Sequence, residues 1–83
     1  MVVEILLFSA RWCAPCKIVK QYLRERGIDF KEVDVEKNGE LAKKYFVQSL
    51  PTIVVLENEV PIASIVGSDL SRLESVLREI HGC

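Results

Sequence analysis

The sequence predicts an α/β domain with the element order β-α-β-α-β-β-α, a four-stranded mixed sheet flanked by helices. Three observations carry this. Residues 2–8 and 53–56 are apolar runs rich in Val, Ile and Leu, too short for core helices, which is how central strands covered on both faces read. The segment after the first run changes to helical spacing, so helices must flank the sheet. A strand, helix, strand order at the start implies a parallel pair joined by a right-handed crossover. With 83 residues, 49% of them hydrophobic, the chain is expected to form one domain over 1–83.

In chain order, residues 2–8 form the first strand. Beyond it, Ile18, Val19, Tyr22 and Leu23 fall on one helical face, with Lys17, Lys20, Arg24 and Glu25 elsewhere. Gly27 ends that helix as a left-handed cap. Phe30, Val33 and Val35, interleaved with charges, make the second strand. Asn38-Gly39 leads into a short helix over 40–46. Residues 53–56 form the next central strand, and Glu57-Asn58-Glu59 the turn after it, with Asn58 able to take positive φ. Residues 60–66 return antiparallel, and Pro61 marks them as an edge strand. Ser68-Asp69 then caps a last helix with Leu70, Leu73, Val76, Leu77 and Ile80 in one stripe.

Charge and hydropathy exclude several partners. The net charge is −1 with acids and bases intermixed, so neither a nucleic-acid footprint nor a polybasic membrane patch is expected. The apolar runs are far short of a membrane span, and Glu4 interrupts a signal-peptide reading, which places the expected location in the cytoplasm.

Chemistry is concentrated in Arg11-Trp12-Cys13-Ala14-Pro15-Cys16-Lys17, two thiols three residues apart at the mouth of the first strand. If a helix begins there, Cys13 sits at its N-terminus, where unpaired N–H groups favour a thiolate and make it the nucleophile. Pro15 is tolerated in the first turn. Cys16, one turn on, is close enough to close a disulfide and to resolve a mixed one. On this reading Cys13 is the accessible thiol and Cys16 the buried one. Trp12 beside a nucleophile suits a partly exposed apolar docking surface. Lys17 is either a solvated charge or a cation that steadies the thiolate. A Cys-x-x-Cys pair is also a zinc half-site, which His81 and Cys83 could complete. Otherwise Cys83 is either structurally idle or a thiol with a redox or dimer-linking role.

Three landmarks make the chain resemble the thioredoxin and glutaredoxin superfamily. Trp12-Cys13-Ala14-Pro15-Cys16-Lys17 is similar to the thioredoxin motif with Ala where Gly is usual. Leu50-Pro51-Thr52 resembles the family's cis-proline loop, and Val66-Gly67 the glycine that leaves space for a partner's backbone. The resemblance implies a minimal thioredoxin fold with the first and third strands central, and thiol–disulfide oxidoreduction by Cys13 and Cys16. It also implies substrate contacts at Trp12, Leu50, Pro51, Thr52 and Gly67, with Pro51 cis and keeping metal away from the thiolates.

The departures from the family pattern set the remaining expectations. The chain lacks a leading strand and helix, so its length resembles glutaredoxins and the small glutaredoxin-like thioredoxins. The family's buried Asp is Leu7 here and its Lys partner is Glu32, which stands either as a solvent-facing charge or as a proton acceptor for Cys16. Of the glutathione-binding Gly-Gly-x-Asp-Asp stretch only Gly67-Ser68-Asp69 survives. The expected protein is a monomer with no cofactor beyond its Cys13–Cys16 disulfide and no metal, acting on disulfide-containing proteins. Its expected reductant is a thioredoxin-reductase-type flavoprotein, with glutathione as the alternative. The alternative of another class is a non-catalytic metal-binding or structural module.

Overall fold

The structure, a computed structural model, describes residues 2–80. The predicted order is found as β1 (Val3–Ser9), α1 (Ala14–Glu25), β2 (Lys31–Asp34), α2 (Gly39–Lys44), β3 (Thr52–Glu57), β4 (Val60–Val66) and α3 (Leu70–Ile80). The strands lie in the order β2-β1-β3-β4. β1 runs parallel to β2 and antiparallel to β3, and β4 is antiparallel to β3 at the edge.

Strand alternation divides the apolar runs between the two faces. Ile5 and Leu7 of β1, Ile53 and Val55 of β3 and Ile65 of β4 pack with Val19 and Leu23 of α1 and Leu73 and Leu77 of α3. Leu6, Phe8, Val54 and Leu56 point the other way, with Val33, onto Ala42 of α2 and the half-buried Leu41, Tyr45 and Val47. Burial on both sides is why residues 5–8 of β1 and 53–56 of β3 are apolar without interruption. β4 is covered on one side only, and Ile65 is its single buried residue.

Helix ends follow from local chemistry. At the end of α1, Gly27 takes φ 66°. Its N–H donates to the Arg24 carbonyl and the Ile28 N–H to the Leu23 carbonyl, both at 3.0 Å, a Schellman closure that also seats Ile28 on the core. Asp69, rather than Ser68, caps α3 by accepting the Arg72 N–H at 3.0 Å. Ile18 departs from its expected place on the buried face of α1: it is 55% exposed, because the core-facing positions are Cys16, Val19 and Leu23.

The short helix also ends earlier than expected. Its closure is another Schellman arrangement, in which Phe46 N–H donates to Lys43 and Val47 N–H to Ala42. The position that favours glycine holds Phe46, at φ 56° and 87% exposed. A β-carbon there strains the backbone while the ring gains almost no burial. Phe46→Gly is therefore expected to stabilise the fold by about 0.5–1 kcal/mol after glycine's larger chain entropy is deducted. A thermal melt tests this, since an unchanged or lower Tm would mean that the ring makes contacts that offset the strain.

Candidate active site

The dithiol stands where β1 gives way to α1. The strand ends at Ser9, the Cys13 N–H donates to the Ala10 carbonyl at 3.1 Å, and α1 begins at Ala14 with Cys13 as its N-cap. Cys13 Sγ accepts the Cys16 N–H at 3.2 Å, so an otherwise unpaired donor of the first turn is directed at the sulfur. That contact, together with the positive end of the helix dipole, favours negative charge on Cys13 when the pair is reduced. Pro15 lies within this turn and interrupts no helix hydrogen bond. Cys13 and Cys16 are joined as a disulfide, with Cα atoms 5.3 Å apart.

Exposure does not distinguish the two cysteines as expected. Cys13 is 3% exposed and Cys16 2%, because Ala10, Val35 and Leu50 pack around both. The difference lies in surroundings: Cys13 holds the cap position, and Cys16 lines a cavity.

The residues expected to contact substrate separate into surface and support. Trp12 is 70% exposed. The Leu50–Pro51 peptide is cis, and half-buried Leu50 packs on the two cysteines. Pro51 and Thr52, also expected as contacts, are buried. Thr52 Oγ1 instead donates to the Ser49 carbonyl at 2.6 Å, fixing the loop from within. Gly67, at φ 83°, donates its N–H to the Pro51 carbonyl at 2.8 Å and so ties the end of β4 to that loop. Just before it, Val66 is 59% exposed. Sequence reasoning missed Val66 as a surface residue. Its signal was alternation in a one-sided strand, where buried Ile65 turns Val66 outward.

On the other side of Cys16 the lining is polar. Leu7 pairs with Glu32 across β1 and β2. Glu32 Oε2 accepts the Ser9 hydroxyl at 2.8 Å and lies 2.8 Å from Lys20 Nζ of α1. The Lys20 hydrogen bond, with a smaller contribution from Ser9 and against some desolvation, holds the Glu32 carboxyl below the usual range. Glu32 and Cys16 line one cavity of about 470 Å³, as does exposed Lys17. Ser9 and Lys20, neither singled out in the sequence, complete this corner.

Among the described residues no group of three or more His, Cys, Asp or Glu could hold a metal ion, and no helix is long and apolar enough to cross a membrane. The four-ligand alternative involving His81 and Cys83, and the reading of Cys83, lie outside the described residues.

Comparison with known proteins agrees with this geometry. A family model described as Thioredoxin matches residues 2–79. A Staphylococcus aureus thioredoxin is 35% identical over 71 residues, spanning 78% of this chain and 68% of that protein. Among solved structures, Schistosoma mansoni thioredoxin superposes with a TM-score of 0.85 at 28% identity, covering 93% of this chain and 77% of the other. Oxidised Plasmodium falciparum thioredoxin gives 0.83 at 27% identity, covering 96% and 82%.

Proposed function

We propose, since the chain belongs to the thioredoxin family and is a thiol–disulfide oxidoreductase, that it reduces the disulfides of other proteins with Cys13 as nucleophile and Cys16 as resolving thiol. The observation that carries the assignment of roles is the Cys16 N–H donated to Cys13 Sγ at the helix N-cap. The Cys13 thiolate attacks one sulfur of the substrate disulfide, forming a mixed disulfide and releasing the other sulfur as a thiolate. Cys16, deprotonated, then attacks Cys13 Sγ and releases the second substrate thiolate. The substrate gains two electrons and the protein is left with the Cys13–Cys16 disulfide.

Trp12, Leu50, Val66 and Gly67 form the face on which a substrate lies, while Pro51 and Thr52 hold Leu50 in place. Lys17 and Glu32 tune the site and do not themselves react. Glu32 is ionised throughout the range in which thiols titrate, because Lys20 holds its carboxyl low, and a carboxylate that weakly basic is a poor acceptor for a thiol proton. Its pair with Lys20 acts on stability, and the sign follows from the direction of the shift. A depressed carboxyl contributes above its unfolded value, and that contribution is lost as pH falls through the folded one. Glu32→Gln is therefore expected to cost at most about 1 kcal/mol at neutral pH, since the pair is partly exposed, and to converge with wild type only as pH falls below the ordinary carboxylate range. Urea melts across that range check this. A Glu32→Gln variant whose reduction rate loses its dependence on pH between 6 and 9 would restore the proton-acceptor reading.

The reductant on this reading is a thioredoxin-reductase-type flavoprotein, the protein is a monomer of the cytoplasm, and neither metal nor further cofactor takes part. The apolar docking face suits a protein reductase, and the Gly67-Ser68-Asp69 remnant offers little to a tripeptide. The test is a coupled assay with insulin as substrate. Turnover with NADPH and thioredoxin reductase is expected, and turnover only with glutathione and glutathione reductase would reverse the choice of donor.

A further inference from the structure

The cavity beside Cys16 carries more charge than the proposed chemistry uses. Four cations, Arg11, Lys17, Lys20 and Lys37, line it against two carboxylates, Glu32 and Asp34, although the whole chain has a net charge of −1. Lys20 is committed to Glu32. Asp34 Oδ1 accepts the Glu36 N–H at 2.9 Å. Among the described residues Arg11, Lys17 and Lys37 have no carboxylate within ion-pair distance. Three uncommitted cations thus gather at the reactive end of a chain that is otherwise acidic.

Their placement sets them beside the dithiol, next to the docking face. Arg11 directly precedes exposed Trp12, and Lys17 directly follows Cys16. Lys37 comes from the turn after β2, where its N–H donates to the Asp34 carbonyl at 3.0 Å. The cations therefore reach the rim from three separate segments. A peptide lying on Trp12 and Leu50 with its disulfide at Cys13 would extend its flanking side chains over this rim.

We infer that this rim is a recognition subsite for carboxylate side chains flanking the disulfide of a substrate polypeptide. The inference rests on the protein-disulfide reading above and adds a charge preference to it. Uncommitted cations beside a partly enclosed surface raise the encounter rate with acidic segments and penalise basic ones. A rival account gives these cations only the task of steadying the dithiol's thiolates. That effect would act on every substrate equally, so a ratio of two substrates separates the accounts.

The test uses two synthetic peptides, each closed by one disulfide and identical except for Asp or Lys beside the cysteines. Initial kcat/KM is measured with the full chain and with an Arg11→Glu/Lys37→Glu double variant, at low and high ionic strength. For wild type the acidic peptide is expected to be reduced about tenfold faster at low ionic strength, a difference of about 1.4 kcal/mol. That ratio should fall toward one at high salt and invert in the double variant. Equal rates at low salt, or a ratio the double variant does not move, would overturn the inference and leave the protein-disulfide reading intact. Oxidised glutathione outpacing the acidic peptide, and slowing in the double variant, would assign the rim to small anionic disulfides instead. No turnover of either peptide would overturn both readings. Both substituted residues are exposed, and a matching thermal transition checks that the variant is folded.

Discussion

Cys16→Ser is expected to stop catalysis after the first half-reaction and leave the chain covalently joined to its substrate through Cys13. The serine hydroxyl cannot displace the substrate thiolate from Cys13 Sγ, so the mixed disulfide persists until an external thiol removes it. Cys13→Ser is expected to form no adduct through the dithiol site, because Cys16 lies one turn into α1 and lacks the cap geometry that activates Cys13. Both variants should lose multiple turnover completely, and non-reducing gels distinguish them: an adduct at the summed mass for Cys16→Ser and none for Cys13→Ser. Both replacements are small and occupy an N-cap or first-turn position where serine is well accepted, so the loss is not one of folding. An adduct formed by Cys13→Ser in place of Cys16→Ser would exchange the two roles.

Phe8→Ala is expected to give the largest loss of stability among single core truncations. Phe8 is 0% exposed on the α2 face of β1, and its ring lies 6.2 Å from that of Tyr45. It packs with Leu6, Val33 and Val54, so little around it can relax into the space left behind. Truncation of a buried Phe costs about 3–5 kcal/mol. A domain of this length is stable by roughly 4–12 kcal/mol, so the variant should be largely unfolded at physiological temperature or melt far below wild type. Because β1 leads directly into the Cys13 cap, activity should fall with the folded fraction, and urea titration measures both. A midpoint close to that of wild type would show that the α2 layer is dispensable to the fold.

The sheet was legible because burial on both faces makes the middles of β1 and β3, residues 5–8 and 53–56, wholly apolar, and because a closely spaced pair of thiols marks where the first helix begins. Packing around those thiols was less legible. Cys13 and Cys16 are covered by Val35 from beyond β2 and Leu50 from the loop before β3, which pack on their cluster with Ala10, and no local pattern records this. Thr52 and Pro51 were expected as contacts through the resemblance of Leu50-Pro51-Thr52 to the cis-proline loop, and their burial is not legible locally, because it follows from Thr52 pairing with both Phe8 and Val66 in the sheet. Glu32 was legible as a charge beside the strand that carries Leu7, but its partner was not, since its bond to Lys20 joins residues 32 and 20 only once the crossover lays α1 over β2. Phe46 was read as a helical apolar residue when its backbone, at φ 56°, already lies beyond the helix.

Mixing the fully reduced chain with insulin, in the absence of any other reductant, tests the dithiol account most directly. Acid quenching and mass mapping follow the thiols. The account predicts one Cys13–Cys16 disulfide formed for each insulin disulfide opened, with the other thiol in the chain unchanged. Insulin reduced while Cys13 and Cys16 remain thiols, or a product disulfide joined to Cys83, would contradict it.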